Sequence, residues 1–192
     1  LRDLGLEYLR LDYGFSARRV AELSGVFRIV VNASTVSSDE IASWREAGAD
    51  VTRFAACHNF YPKPYTGLAL EDIARTNLLL AALGFEIMAF VPGDANVRGP
   101  VFEGLPTVEA HRGRASKVAL NMLELAHGAD CDIVLVGDPD LSDAGWTQFA
   151  HVSAGYVDLQ CELEPGYAYV RGQIHHDRPD SSTLIFRSQE SR

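Results

Sequence analysis

The sequence predicts an α/β fold with a parallel sheet, because short apolar segments alternate with amphipathic segments five times along the chain. The apolar segments are continuous rather than alternating in polarity, which is typical of parallel strands covered by helices. Three of the amphipathic segments begin at a serine and four are followed by a glycine, both of which are typical of helix ends. A repeated β-α unit explains all three observations.

The predicted strands share a length of four to eight residues and an apolar composition typical of buried strands. They span residues 6–13, 28–33, 51–57, 85–91 and 131–136. The segments between them are helical, and they span residues 16–23, 37–47, 69–83, 117–127 and 142–149.

Local signals set the ends of these helices. Ser16 is the expected N-cap of the first helix, and Gly25 lies just past its end. Ser37 and Glu40 have the spacing of a capping box at the start of the second helix, which Gly48 ends. Both helices therefore have the polar start and the glycine stop that are expected of helices.

The β-α rhythm stops near residue 154, where we place a domain boundary. Residues 156–163 alternate in polarity like a strand, and the segment from Tyr167 onward is predicted to form short antiparallel strands. Residues 1–154 are thus predicted to form one domain, and residues 155–192 to begin a second, β-rich one.

Composition excludes several classes of function. The net charge of −9 and the lack of a basic stripe argue against a nucleic-acid or anionic-membrane partner. The three cysteines have no C-x-x-C spacing, which favours a reducing cytoplasm over a disulfide or zinc scaffold. No apolar stretch reaches the roughly 20 residues of a membrane span, and no signal peptide opens the chain. A homo-oligomer is compatible with the sequence.

Polar side chains follow all five predicted strands. They are Asp12, Asn32 with Ser34, His58 with Asn59, Asp94, and Asp138. The carboxyl ends of parallel strands meet at one edge of the sheet, where α/β proteins build their sites. We therefore expect a shared pocket at this edge.

Strand alternation predicts which side chains face that pocket. Arg10 and Asp12 alternate with leucines, so both should point to the inner face of the sheet, either in the site or as a structural ion pair. Cys57 and His58 are consecutive and should point to opposite faces, which argues against a Cys-His nucleophile pair.

Two long loops carry further candidates. Residues 58–67 combine two prolines with Asn59, Tyr61 and Lys63, a composition suited to stacking on and bonding to a sugar. Residues 92–112 add the carboxylate Glu103 and cations for an anionic ligand. No P-loop, dinucleotide fingerprint, zinc-protease helix or serine-hydrolase elbow is present in the sequence.

Seven segments, read in order, resemble the 6-phospho-N-acetylmuramidase family. They are LRLDYGFS, VVNAST, ACHNFYPKPYTGL, FVPGD, RGPVFEGLPTVEAHR, LVGDPDLS and FRSQESR. The resemblance covers nearly the whole chain; Lys63 stands where the family is expected to have arginine, and Tyr65 where an acidic residue is common.

The resemblance implies a (β/α)8 TIM barrel, of which this chain holds strands four to eight, followed by the start of a cyclophilin-like domain. It also implies a cytoplasmic glycosidase of peptidoglycan recycling, which cleaves the bond between N-acetylmuramic acid 6-phosphate and N-acetylglucosamine. No cofactor is implied for this hydrolysis.

Glycoside hydrolysis uses two carboxyl groups, and the candidate catalytic residues are Asp12, Glu103, Asp94 and Asp138. Asp12 beside Arg10 suits a nucleophile, a base or a charge stabiliser. Glu103 suits a general acid if apolar neighbours surround it, because burial favours the protonated form of a carboxyl group. The expected substrate-binding residues are Arg10, Asn32, His58, Asn59, Tyr61, Lys63, Arg98, Arg112, Arg187, Ser188 and Arg192.

Two other functions fit the same residues. A metal-dependent TIM-barrel isomerase or lyase could use four of the strand-end residues as ligands, namely Asp12, His58, Asp94 and Asp138. A carbohydrate-binding protein without catalysis, or an inactive fragment, would bind the phosphorylated disaccharide without turning it over.

Overall fold

The computed structural model describes residues 4–182 and 184–190, which form two compact units divided after Asp158. The first unit contains a five-stranded sheet in the order β1-β2-β3-β4-β5, and all neighbouring strands are parallel. The strands are β1 Tyr8–Arg10, β2 Arg28–Asn32, β3 Ala55–Cys57, β4 Glu86–Val91 and β5 Ile133–Val136. The predicted α/β class with a parallel sheet is confirmed.

Helices follow each strand of the sheet. They are α1 Ala17–Ser24, α2 Ser38–Glu46, α3 Leu70–Ala82, α4 Glu109–Arg112, α5 Val118–Leu123 and α6 Asp143–Ser153. The predicted caps are present: the Ser16 hydroxyl accepts the Arg19 amide, and Ser37 and Glu40 form the full capping box. No helix in the described residues is both long and apolar enough to cross a bilayer.

The sheet curls into half of a barrel, and one side-chain contact shows the curl directly. The Tyr8 hydroxyl on β1 donates to Glu86 Oε2 on β4 over 2.6 Å. In a flat sheet these strands, three positions apart, would be separated by roughly 14 Å. The inner, concave face therefore brings Tyr8 and Glu86 together, and the guanidinium of Arg28 binds both. Burial and the bond to Glu86 raise the pKa of Tyr8 to about 12.

Side-chain alternation gives the sheet two different faces. The outer face packs against the helices through residues such as Ile29, Ala56 and Ile87. The inner face, which we call the lumen face, is a smaller apolar cluster formed by Val30, Ala55, Cys57 and Met88 with the half-buried Tyr8, Phe90, Ile133 and Leu135. The helix layer therefore supplies most of the core.

Several element boundaries differ from the prediction. The strand predicted over 6–13 is reduced to Tyr8–Arg10, and three later elements also differ. Val51–Arg53 form a 3-10 turn, because the Asp50 carboxylate caps the Thr52 amide, and only Ala55–Cys57 remain as strand. The helix predicted over 117–127 continues after Leu123 as a π turn, Glu124–Gly128. The last helix of the unit extends to Ser153, past its predicted end.

The second unit, Leu159–Arg192, has little regular structure in its described residues. The strand predicted over 156–163 is absent, and the antiparallel strands predicted after Tyr167 are reduced to two bridges, Asp177 with Ser188 and Ser182 with Ile185. A strand needs a neighbour for its backbone groups, and residues 156–163 have no strand partner among the described residues. A cyclophilin-like domain, and the division into domains at residue 154, remain predictions.

Candidate functional site

The five strand-end residues lie at one edge of the sheet, as predicted. Asn32 ends β2, while Asp12, His58, Asp94 and Asp138 follow the ends of β1, β3, β4 and β5, and all five strands run in the same direction. Their side chains nevertheless differ in surroundings, and these differences decide which of them can meet a ligand.

Arg10 and Asp12 form the polar centre of the edge on the lumen side. Arg10 Nε donates to Asp12 Oδ1 over 3.0 Å, and Arg10 Nη2 donates to Asn59 Oδ1 over 2.6 Å. Leu9 and Leu11 pack in the helix-side core, so the predicted alternation along this strand is confirmed. One guanidinium therefore joins the ends of β1 and β3.

The Asp12 carboxylate is open to a ligand. Its side chain is 61% exposed, and Arg10 is its hydrogen-bond partner within the described part of the chain. One oxygen is thus oriented by the guanidinium, while the other is free to act on a bound molecule.

Cys57 and His58 point to opposite faces, as predicted. Cys57 belongs to the lumen face, where burial raises the pKa of its thiol although the charge of Arg10 opposes this. His58 faces the helix layer, with its Nε2 2.7 Å from Asn77 Oδ1 on α3. His58 is 1% exposed, and burial lowers the pKa of its imidazole. His58, a predicted substrate-binding residue, is therefore bonded to α3.

Asp138 is occupied by the backbone of a neighbouring loop. Its Oδ2 accepts the amides of Gly93 and Leu105 over 2.8 and 2.9 Å, and its Oδ1 accepts the amide of Arg98 over 2.9 Å. Gly93 is needed for this approach, since a Cβ there would lie 2.6 Å from Cβ of Asp138. Asp138, one of the predicted catalytic carboxylates, is therefore buried and anchors this loop.

Asp94 also has an internal partner. Both of its oxygens bind Ser142, one the amide and the other the hydroxyl, each over 2.7 Å. The same hydroxyl caps α6 by accepting the Gly145 amide. Asp94, a second expected catalytic residue, therefore fixes the start of α6 to the loop after β4.

Arg112 lies at the junction of the two long loops, with its side chain 8% exposed. It forms a two-pronged ion pair with Glu109 over 2.8 and 2.9 Å. Its remaining bonds go to backbone carbonyls of both loops, those of Tyr61, Pro62, Lys63, Glu103 and Gly104. Arg112 was expected to bind substrate, but its donors are used within the protein.

Glu109 is a residue whose role the sequence did not reveal. Its oxygens accept the amides of Tyr65 and Gly67 in addition to binding Arg112. The bond to Arg112, supported by these two amides, lowers the pKa of Glu109 to about 2. The spacing of Glu109 and Arg112, three residues apart, is the only local signal of this pair.

The remaining candidates of the first unit lie on the rim. Glu103, Lys63 and Arg98 are exposed, and their side chains form no hydrogen bond within residues 4–182 and 184–190. The apolar surroundings expected for Glu103 are absent. Tyr61 is half-buried, and Asn32 turns its oxygen toward the Ser34 amide.

Two of the candidates in the second unit have partners within that unit. Arg187 pairs with Asp180 over 3.1 Å, and the Ser188 hydroxyl lies 2.8 Å from His175 Nδ1. Arg192 lies outside the described residues.

The strand-end residues do not form a metal site. Across the described ranges, no group of three His, Cys, Asp or Glu side chains is arranged to hold an ion. His58 faces away from Asp12, and Asp94 and Asp138 are filled by internal donors. The ligand set that a metal-dependent isomerase would need is therefore not assembled by these residues.

Comparisons with known proteins agree with this architecture. A conserved protein of unknown function from Enterococcus faecalis has 38% identity and a TM-score of 0.69, over 77% of this chain and 42% of that chain. An uncharacterized B. cereus protein has 26% identity and a TM-score of 0.65, over 77% and 43%. The chain thus spans less than half the length of these two solved structures.

A search of curated proteins found no match. The family model described as "6-phospho-N-acetylmuramidase, N-terminal" matches residues 1–151, which include the whole sheet and both long loops. The chain therefore belongs to the 6-phospho-N-acetylmuramidase N-terminal family.

Proposed function

We propose that this chain carries the catalytic edge of a cytoplasmic glycosidase of peptidoglycan recycling. Its substrate is the disaccharide in which N-acetylmuramic acid 6-phosphate is joined to N-acetylglucosamine. The observation that carries the proposal is the open Arg10–Asp12 pair at the carboxyl edge of the sheet, within the part of the chain that matches the family. TIM-barrel enzymes place their chemistry at this edge.

Asp12 acts as the nucleophile, the base or the stabiliser of positive charge at the anomeric carbon. Arg10 holds one of its oxygens and orients the carboxylate, while the exposed oxygen is directed at the ligand. Either direct attack or activation of water would use that free oxygen.

Glu103 is the second carboxylate of the reaction, the general acid that protonates the leaving oxygen. Of the four carboxylates considered, Asp94 and Asp138 are bound to backbone or serine groups inside the protein. Glu103 remains accessible on a loop whose backbone Arg112 fixes at the Glu103 carbonyl. Closure of the site over a bound sugar would supply the desolvation that a general acid needs.

The substrate is held by the polar groups around this pair. Asn32, Asn59 and Tyr61 bind sugar hydroxyls, while Lys63 and Arg98 bind the phosphate and the lactyl carboxylate through charge-assisted hydrogen bonds. In the second unit, Arg187, Ser188 and Arg192 are further candidates for the anionic groups. Hydrolysis of this kind needs no metal or organic cofactor.

The test is turnover of the phosphorylated disaccharide by the full-length protein and by the variants Asp12→Asn and Glu103→Gln. Each change keeps the size of the side chain and removes its acid-base function, so each should lower kcat by at least ~10²-fold. Matched controls are Asp130→Asn and Glu46→Gln, which alter exposed carboxylates at the opposite edge of the sheet and should leave turnover unchanged.

Near-normal turnover in either active-edge variant, with an unchanged circular dichroism spectrum, would remove that residue from the mechanism. Binding of the disaccharide by calorimetry without any turnover in the unsubstituted protein would instead identify a carbohydrate-binding protein. Loss of turnover on dialysis against a chelator would favour the metal-dependent alternative.

A further inference from the structure

We propose that Arg112 and Glu109 form a loop clamp that presets the substrate-binding loops as one unit, so that Arg112 is a positioning residue of the active edge. This inference rests on the proposed function for its consequence in catalysis. Its structural part concerns two segments, the β3–α3 loop (residues 58–69) and the β4–α4 loop (residues 92–108).

A single guanidinium joins the two loops. Arg112 Nη2 donates to the carbonyls of Tyr61 and Lys63 over 2.8 and 3.1 Å, and Nη1 donates to that of Gly104 over 3.2 Å, with a longer bond of 3.3 Å to Glu103. A planar group with five N–H donors can satisfy acceptors on several sides at once, which an ammonium group on a flexible stem cannot do.

Glu109 completes the clamp from the opposite side. Its carboxylate binds Arg112 and also accepts the Tyr65 and Gly67 amides over 2.9 and 2.7 Å. Gly67 is close enough that a Cβ on it would lie 2.6 Å from Glu109 Oε2. The β3–α3 loop is therefore bound through both its carbonyls and its amides.

The clamp holds backbone in conformations that isolated loops disfavour. Tyr65 has φ of 67° and Phe102 has φ of 59°, both in the left-handed region that non-glycine residues rarely occupy. The Tyr65 amide is bonded to Glu109, and Phe102 directly precedes the Glu103 carbonyl that Arg112 binds. These bonds offset part of the cost of the two strained residues.

The residues held by their backbones are the ones whose side chains are proposed to meet the substrate. Arg112 donates to the backbone carbonyls of Tyr61, Lys63 and Glu103. The backbone position from which each side chain extends is therefore fixed relative to the other two. A misplacement of about 1 Å at a reacting group can cost ~10²-fold in rate. Removing the clamp should therefore impair binding and catalysis although Arg112 itself does not touch the substrate.

The experiment compares Arg112→Lys, Arg112→Ala and Glu109→Gln with a matched pair nearby. Arg114 and Glu124 form a similar two-pronged ion pair over 2.9 and 2.6 Å, but Arg114 donates to neither long loop. Arg114→Lys and Glu124→Gln are therefore the controls. All variants are made in the full-length protein and measured by steady-state kinetics with the phosphorylated disaccharide and by amide hydrogen exchange.

We expect Arg112→Lys to lower kcat/KM by ~10²-fold, with a raised KM, and Arg114→Lys to leave both constants near those of the unsubstituted protein. Glu109→Gln should speed exchange in peptides containing the Tyr65 and Gly67 amides. Millimolar guanidinium should restore part of the lost kcat/KM in Arg112→Ala, because it can occupy the vacated site.

Unchanged exchange in both loops of Arg112→Lys and Glu109→Gln would overturn the clamp, whether or not the protein proves to be a glycosidase. Equal losses of kcat/KM in the Arg112 and Arg114 variants, without rescue by guanidinium, would also overturn it, because a general loss of stability would explain both. Should Arg112→Ala fail to fold, Glu109→Gln and Arg112→Lys carry the same test. Faster loop exchange in a protein that cleaves no disaccharide would support the clamp and reject the proposed function.

Discussion

Asp12 and Asp138 are the same residue type at the same edge of the sheet, but their carboxylates have opposite surroundings. Asp12 has one cationic neighbour and a largely exposed side chain, whereas Asp138 is 5% exposed and accepts three backbone amides. A carboxylate saturated by internal donors cannot take part in proton transfer without releasing them. This difference is why the proposed mechanism uses Asp12 rather than Asp138.

The sequence could predict the direction of side chains at this scale but not their partners. Strand alternation correctly separated Arg10 from its leucine neighbours and Cys57 from His58. The amides that donate to Asp138 lie 33 to 45 residues away in the chain, and the carbonyls that accept from Arg112 lie up to 51 residues away. No local pattern encodes such distant contacts, so the sequence did not reveal the internal partners of His58, Asp94, Asp138 and Arg112.

Replacing Asp138 with alanine should destabilise the first unit by about 3 kcal/mol, because a buried donor left without a partner costs about 1–3 kcal/mol. The buried amides of Gly93 and Leu105 would both lose their acceptor. Urea denaturation of Asp138→Ala and of the exposed control Asp12→Ala measures the effect, and the control should change by at most about 0.5 kcal/mol. Equal stability in the two variants would show that Asp138 does not anchor the loop.

Elements with local start and stop signals were the ones that the sequence located well. The capping box of α2 and the serine caps of α1 and α6 depend on residues three positions apart, so they can be recognised without the fold. The turn at Val51–Arg53 was missed because Val51 and the apolar residues after the turn matched a strand, whereas the Asp50 side chain caps a helical turn. The strand predicted over 156–163 failed for a different reason, since strand formation depends on a partner that no local signal supplies.

The loop clamp should make stability depend on acid pH in a defined way. The pKa of Glu109 falls from the ordinary glutamate value of 4.5 to about 2 in the folded protein. A lowered pKa means that the carboxylate stabilises the fold above the unfolded value, and that this contribution is lost as the pH falls from about 4.5 toward 2. The test is the Tm of the unsubstituted protein and of Glu109→Gln, measured from neutral pH down to about pH 2. The two Tm values should differ most near neutral pH and converge in acid. A difference in Tm that stays constant down to the lower limit would contradict the assignment.

On the largest scale, the sheet of the first unit is an open half-barrel. Its lumen face is polar at the amino ends of the strands, apolar in the centre, and polar again at the carboxyl edge. Direct bonds join Tyr8, Arg28 and Glu86 at the amino ends of the strands. The apolar side chains of Val30 and Met88 follow on the lumen face, toward the carboxyl edge. Closing an eight-stranded barrel would require three further strands beside β1 and β5. The five-stranded sheet therefore leaves two strand edges and part of the lumen face without neighbours among the described residues.

This open architecture predicts how the 192-residue chain behaves when it is produced alone. Unpaired parallel edges and half-buried lumen residues such as Phe90 and Leu135 favour association between copies. We expect concentration-dependent oligomers in light scattering and strong binding of the dye ANS, whereas a longer protein that supplies the neighbouring strands should show neither.

Leu135→Lys, which places a charge on the lumen face, should reduce both signals in the short chain. Leu78→Lys, on the exposed outer side of α3, is the matched control and should reduce them less. A monomeric short chain without ANS binding would show that the half-barrel protects its own edges, and the association argument would then fail.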